Sequence, residues 1–176
     1  MRTAPHVFWL TGLPASGKTT LANALVAHLT SLGVRGICLD GDQLRQGLCS
    51  DLGFDADSRK ENIRRAGEVS RLLHGSGLTV IGSFVSPFVA DRAQVRGLFQ
   101  PGDFSEVHLC TSLQECMRRD PKGLYAQAQR GDLIGLTGWD APYEPPQAPE
   151  FSFDTQVMAP EEMAQILYSR IFEEAA

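Results

Sequence analysis

Apolar and polar positions along this chain follow two periods. Five short apolar runs, residues 7–11, 36–40, 79–83, 106–110 and 151–155, have strand length and carry little polarity. Between them apolar positions recur at helical spacing over 20–32, 59–76, 91–99, 113–119 and 161–172, with a shorter piece at 43–47. Strands alternating with helices predict an α/β fold, a five-stranded parallel sheet flanked by helices on both faces. Ligands on such sheets bind at the carboxyl ends of the strands, so chemistry is expected in the residues just after each run. No repeat or linker divides the chain. The proline-rich stretch 141–149 reads as an ordered surface connection, and residues 1–176 as a single domain.

Composition narrows the picture without changing it. A chain of 176 residues that is 43% hydrophobic supplies an ample core for one domain. Its formal net charge of −5 argues against a general nucleic-acid surface and confines useful cations to a local cluster. Cys38, Cys49, Cys110 and Cys116 show no metal-binding spacing. Three of them (Cys38, Cys110 and Cys116) fall in apolar or helical stretches and are expected as buried free thiols. Reduced thiols, no signal-peptide pattern and no bilayer-length apolar run predict a cytoplasmic protein without a membrane partner.

The first run leads into Gly12-Leu13-Pro14-Ala15-Ser16-Gly17-Lys18-Thr19, which fits G-x-x-x-x-G-K-[ST] between a strand and a helix. The two glycines let the backbone turn tightly, so that successive N–H groups face one anion. The helix N-terminus adds partial positive charge. Lys18 can reach the outer phosphates of a nucleoside triphosphate, and Thr19 can offer its hydroxyl to Mg²⁺. The motif predicts a nucleotide site.

The later strand ends carry a second set of groups. After 36–40 come Asp40 and Asp42, carboxylates suited to hydrated Mg²⁺ or to accepting a proton from an attacking hydroxyl. Asp42 also has the look of an N-cap for helix 43–47. Phe54, in a glycine-flanked loop, can stack on a base or anchor the loop to the core. Arg59 and Asn62 share one helix face, and a cation at a helix start favours an anionic ligand nearby. At Ser86 the spacing alone favours capping of the helix after Pro87. Several cations then gather between Arg118 and Arg130, predicting a mobile basic lid over about 118–138 that closes on a transferring phosphoryl group.

Taken together these segments resemble the adenylyl-sulfate kinase (APS kinase) family. The resemblance is carried by Trp9-Leu10-Thr11, the phosphate loop, Asp40-Gly41-Asp42 with Arg45, Asp51-Leu52-Gly53-Phe54 and Glu61-Asn62-Ile63-Arg64-Arg65. It continues through Ser86-Pro87-Phe88, Arg119-Asp120-Pro121-Lys122-Gly123-Leu124-Tyr125, Thr137-Gly138 and Pro142-Tyr143-Glu144. It implies a P-loop kinase that moves the γ-phosphate of ATP to the 3′-hydroxyl of adenylyl sulfate, giving PAPS in sulfate assimilation.

The resemblance implies ATP contacts at Gly12, Leu13, Pro14, Ala15, Ser16, Gly17, Lys18, Thr19, Thr20 and Arg118. It implies acceptor contacts at Asp42, Gln43, Leu44, Arg45, Phe54, Arg59, Asn62, Val85, Ser86, Lys122, Gly135 and Leu136. Lys18, Asp40, Asp42 and Ser86 are the implied catalytic positions, and Thr19 the metal ligand. Ser86 matches a position assigned to a phosphoserine intermediate. In-line transfer to a bound hydroxyl, however, requires positioning and charge neutralisation rather than a covalent stopover. A homodimer and a functional link with ATP sulfurylase are also implied.

The chain departs from the family pattern at Gln43, Val89 and Leu136-Thr137-Gly138-Trp139. Leu136 stands where a phenylalanine usually completes the adenine sandwich, and Trp139 is expected to supply the missing ring. Two alternatives to the leading reading are a kinase for another nucleotide-linked acceptor and a non-catalytic nucleotide-binding module.

Overall fold

A computed structural model describes residues 4–173. The five strands form one all-parallel sheet in the order β2-β3-β1-β4-β5. They are β1 (Val7–Gly12), β2 (Gly36–Asp40), β3 (Thr79–Ser83), β4 (Phe104–Leu109) and β5 (Phe151–Phe153). The helices are α1 (Lys18–Ser31), α2 (Gly41–Gln46), α3 (Ala56–Gly75), α4 (Val89–Arg96), α5 (Leu113–Arg119), α6 (Leu124–Arg130) and α7 (Pro160–Tyr168). Every strand forecast from the apolar runs is present, with β4 starting two residues earlier and β5 ending two earlier. The helical pattern over 161–172 is α7 followed by a wider turn at Ser169–Glu173.

Alternation along β1 explains both layers. Phe8 and Leu10 face one side, packed with Leu21, Leu25 and Leu29 of α1 and Met163 and Leu167 of α7. Val7 and Trp9 face the other, against Ile63 and Ala66 of α3 and Val95 of α4. The central strand is therefore apolar throughout, because both faces are covered. Each such side chain contributes roughly 1.5–3 kcal/mol by leaving water.

Close packing reaches its tightest at Gly82 in β3. A Cβ there would lie 2.9 Å from the Trp9 ring and 3.0 Å from the Phe84 ring. Those two rings are themselves stacked at 4.7 Å. Gly82→Ala is expected to cost about 1–3 kcal/mol, lowering the melting temperature by roughly 2–12 °C in a scanning calorimeter.

Two local expectations change. Residues 118–138 hold a helix, α6, where only a basic loop was expected. Its Tyr125 and Ala128 pack with Cys116 and Leu136 in a small separate core, an i, i+3 pair that the surrounding charges obscured. Cys110 is exposed rather than buried, whereas Cys49 and Cys116 are buried; all four thiols are free. Among the described residues no helix is long and apolar enough to cross a membrane.

Candidate active site

The carboxyl ends of β1, β2 and β3 open into a cavity of about 980 Å³, closed on its far side by residues 119–137. At one end lies the phosphate loop. Gly17 adopts a left-handed conformation (φ 100°) at the N-cap of α1, and Ala15 is also left-handed (φ 63°). Thr111 and Thr155 brace the loop from behind, their hydroxyls 3.2 and 3.0 Å from the Ser16 carbonyl oxygen. Arg119 in turn donates to the Thr155 hydroxyl at 2.7 Å.

Lys18 is buried at the loop's centre. Its Nζ donates to the carbonyl oxygens of Gly12 at 2.9 Å and Leu13 at 2.7 Å. Burial lowers its pKa from the usual lysine value to about 8, opposed in part by the negative charge of Asp40. Beside it Thr19 Oγ1 donates to Asp40 Oδ2 at 2.9 Å and lies 3.5 Å from Ser83 Oγ. These hard oxygens, opening onto the cavity, suit Mg²⁺ held largely through water and phosphate oxygens. Among the described residues no cluster of three or more acidic, histidine or cysteine side chains forms a metal cage.

Asp40, and not Asp42, caps α2, accepting from the Asp42 N–H at 2.9 Å. The helix starts at Gly41, two residues before the expected start, so the preceding aspartate meets its free N–H groups. Asp42 is thereby left facing the cavity, where its carboxylate pairs with Lys122 from the opposite wall.

At the other end Phe54 is 65% exposed, which excludes the core-anchor reading and leaves its ring open on one face. The Arg45 guanidinium lies over the ring at 4.2 Å and donates to the Gly53 carbonyl oxygen at 2.9 Å. Arg65 secures the same loop by bonding Asp51 at 2.6 Å and the Leu48 carbonyl oxygen at 2.8 Å. Arg59 sits in the first turn of α3, which Asp55 caps. It donates to the carbonyl oxygens of Phe54 (2.7 Å) and Gly135 (2.6 Å) and to the Thr137 hydroxyl (2.8 Å). Asn62 is buried, and its Oδ1 has no hydrogen-bond partner among the described residues although Asn62 lines the cavity. An orphaned buried acceptor at a cavity wall marks a place for a ligand donor.

Val85 and Ser86 form the floor between these ends. Ser86 is left-handed (φ 37°) and does not cap α4, whose N-cap is Phe88. Its hydroxyl accepts from Trp9 Nε1 at 3.2 Å instead.

Most of the residues singled out in the sequence thus line one cavity; Gly12, Leu13, Ser16, Leu44, Arg118 and Trp139 do not. Arg118 lies outside it, 73% exposed and paired with Glu115; its neighbour Arg119 takes the lining position. Leu44 packs against the Trp9 core. Trp139 is 44% exposed and away from the cavity, so it does not replace the ring missing at Leu136. Gly12 and Leu13 act from behind, through the carbonyls that hold Lys18. Sequence reasoning missed Ser83, Arg119 and Ile134 among the lining residues. Position immediately at the end of β3 is the signal that would have found Ser83.

Comparison with known proteins identifies the relatives of this chain. The family model for adenylylsulphate kinase matches residues 4–154. The adenylyl-sulfate kinase of Marinobacter nauticus is 48% identical over 169 residues, covering 96% of this chain and 85% of the relative. That of Shewanella pealeana is 50% identical over 151 residues, covering 86% and 74%. The APS kinase CysC of Mycobacterium tuberculosis, solved in complex with AMPPNP and APS, superposes with a TM-score of 0.91. It is 39% identical, over 96% of this chain and 98% of that one. The chain belongs to the adenylylsulphate kinase family, the enzymes that transfer phosphate from ATP to adenylyl sulfate.

Proposed function

We propose that this enzyme passes the γ-phosphate of ATP directly to the 3′-hydroxyl of adenylyl sulfate within the one cavity, releasing ADP and PAPS. The observation that carries this reading is the shared cavity itself: phosphate loop at one end, Arg45, Phe54, Arg59 and Asn62 at the other, and Asp42 with Lys122 between. Lys18 and the loop N–H groups hold the donor phosphates and neutralise charge as it develops. Thr19 and Asp40, with Ser83, would hold Mg²⁺, which when bound screens the charge on the triphosphate.

Phe54 offers a stacking face for the acceptor's base, with Arg45 behind the ring. Asp42 orients the acceptor hydroxyl and takes its proton, while Lys122 exchanges its carboxylate partner for an acceptor anion. Residues 118–138 serve as the lid of a single kinase domain, excluding water once both substrates are in place. Ser86 acts by position: its hydroxyl is committed to the Trp9 indole, and transfer between two bound substrates requires no phosphoserine.

The titration of Lys18 supplies a test of the donor end. Binding phosphates favours the ammonium form, so ATP binding must take up a proton once free Lys18 has lost its own. ATP affinity should be flat below about pH 7.5 and weaken by up to about tenfold per unit between roughly pH 8 and 10. Calorimetry in buffers of different ionisation enthalpy reads both the affinity and the proton uptake.

For the whole reaction, γ-³²P-labelled ATP is offered with adenylyl sulfate, AMP or sulfate-free nucleosides, with and without EDTA. Label should enter adenylyl sulfate far faster than the others and only with Mg²⁺. Equal labelling of AMP would overturn the acceptor assignment. A homodimer, which light scattering would read, and a functional link with ATP sulfurylase are part of the same proposal.

A further inference from the structure

Behind the cavity floor lies a buried cation that contacts neither end of it. Arg92, on α4, is 2% exposed. Its Nη1 donates to the Ser86 carbonyl oxygen at 2.7 Å, its Nη2 to the Glu144 carbonyl oxygen at 2.8 Å, and its Nε to Glu106 Oε1 at 2.5 Å. One planar guanidinium thus ties the floor, the connection after the lid segment, and β4. Its fork geometry suits three fixed acceptors, and burial is tolerable because Glu106 supplies the opposite charge.

The rest of the junction points the same way. Thr11 Oγ1 donates to the Val85 carbonyl oxygen at 2.7 Å and lies 3.0 Å from the Tyr143 hydroxyl. The Glu144 N–H donates to the Pro87 carbonyl oxygen at 2.8 Å, and its carboxylate accepts from the Val89 N–H at 2.7 Å. Both carbonyls of Val85–Ser86 are therefore held from the side away from the cavity. Such holding matters because Ser86 sits at φ 37°, a conformation that a residue with a side chain keeps only when its surroundings enforce it.

We infer that Arg92 is a positioning residue for acceptor binding, locking Val85–Ser86 in the conformation that faces the acceptor and coupling it to residues 143–144 that follow the lid segment. This rests on the reading above that Val85 and Ser86 border the acceptor. Arg92 touches neither substrate; its effect passes through the Ser86 backbone.

The test is steady-state kinetics of the full chain with each substrate varied. Arg92→Lys keeps the charge but cannot make the three-way fork. It should raise KM for adenylyl sulfate at least about fivefold, leaving KM for ATP and kcat at saturation within about twofold. A purely structural role would instead move both KM values or the melting temperature alone, and either result overturns the inference, as does an unchanged acceptor KM.

Should Arg92→Lys not fold, Thr11→Val, which removes the hydroxyl shared by the Val85 carbonyl and Tyr143, must raise the acceptor KM at least about twofold. No change there equally overturns it. Phe54→Ala separates the two readings. If Phe54→Ala raises the acceptor KM and the Arg92 and Thr11 variants do not, the positioning inference alone fails. If Phe54→Ala also leaves it unchanged, the assignment of the acceptor end fails.

Discussion

Replacing Lys18 with alanine should lower kcat by roughly 10³-fold or more, the upper range for removing one preorganised charge from a transferring centre. The size follows from burial. Lys18 is 9% exposed and its Nζ is held by two loop carbonyls at 2.9 and 2.7 Å, so its charge is already placed at the wall of the cavity. The same burial makes stability a useful control. Folding lowers the lysine pKa to about 8, so the charged side chain is disfavoured in the native state. That cost is present in full below about pH 8 and fades as pH rises toward the unfolded value. Lys18→Ala therefore should not lower the melting temperature at neutral pH. A large fall in kcat with the melting temperature unchanged or higher identifies loss of chemistry rather than of fold. Near-normal turnover would contradict the role.

Arg59→Ala should act at the opposite end. Its guanidinium joins three acceptors, on the Phe54 loop and on residues 135 and 137, and stands 5.9 Å from the Phe54 ring centroid. Removing it frees the loop that carries the stacking ring and the strap opposite. Charged hydrogen bonds of this kind are worth about 1.5–3 kcal/mol each, so the acceptor KM should rise roughly 10- to 100-fold. Arg59 makes its three bonds to residues outside the phosphate loop, and KM for ATP should stay within about threefold. Substrate-varied kinetics separate the two, and equal loss of both affinities would contradict the division of the cavity.

The parts of the molecule that were legible beforehand are those where local pattern and tertiary demand agree. Val7 to Leu10 is apolar at every position because both faces of β1 are covered, and the glycines and lysine of 12–19 have a spacing that only a phosphate loop explains. The misreadings occur where a shift of one or two residues changes the outcome. Arg118 and Arg119 differ by about 100° around α5, and the sequence does not say which one turns inward; Glu115 pairs with both. Asp40 and Asp42 are both good caps, and the choice depends on α2 beginning at Gly41. Trp139 follows Gly138, whose φ of 85° turns the chain away from the cavity, whereas Leu136, 7% exposed, stays inside. Arg92 offered no signal, because its partners come from positions 86, 106 and 144, brought together only by the fold.

The proposed reaction ends on one defined oxygen, the 3′-hydroxyl of adenylyl sulfate. The most direct measurement is ³¹P NMR of a reaction containing this protein, Mg²⁺, ATP and adenylyl sulfate. A new monoester signal at the 3′ position of adenylyl sulfate should grow in equal proportion to ADP. Formation of ADP with inorganic phosphate alone, or phosphate on any other oxygen of the acceptor, would contradict the account.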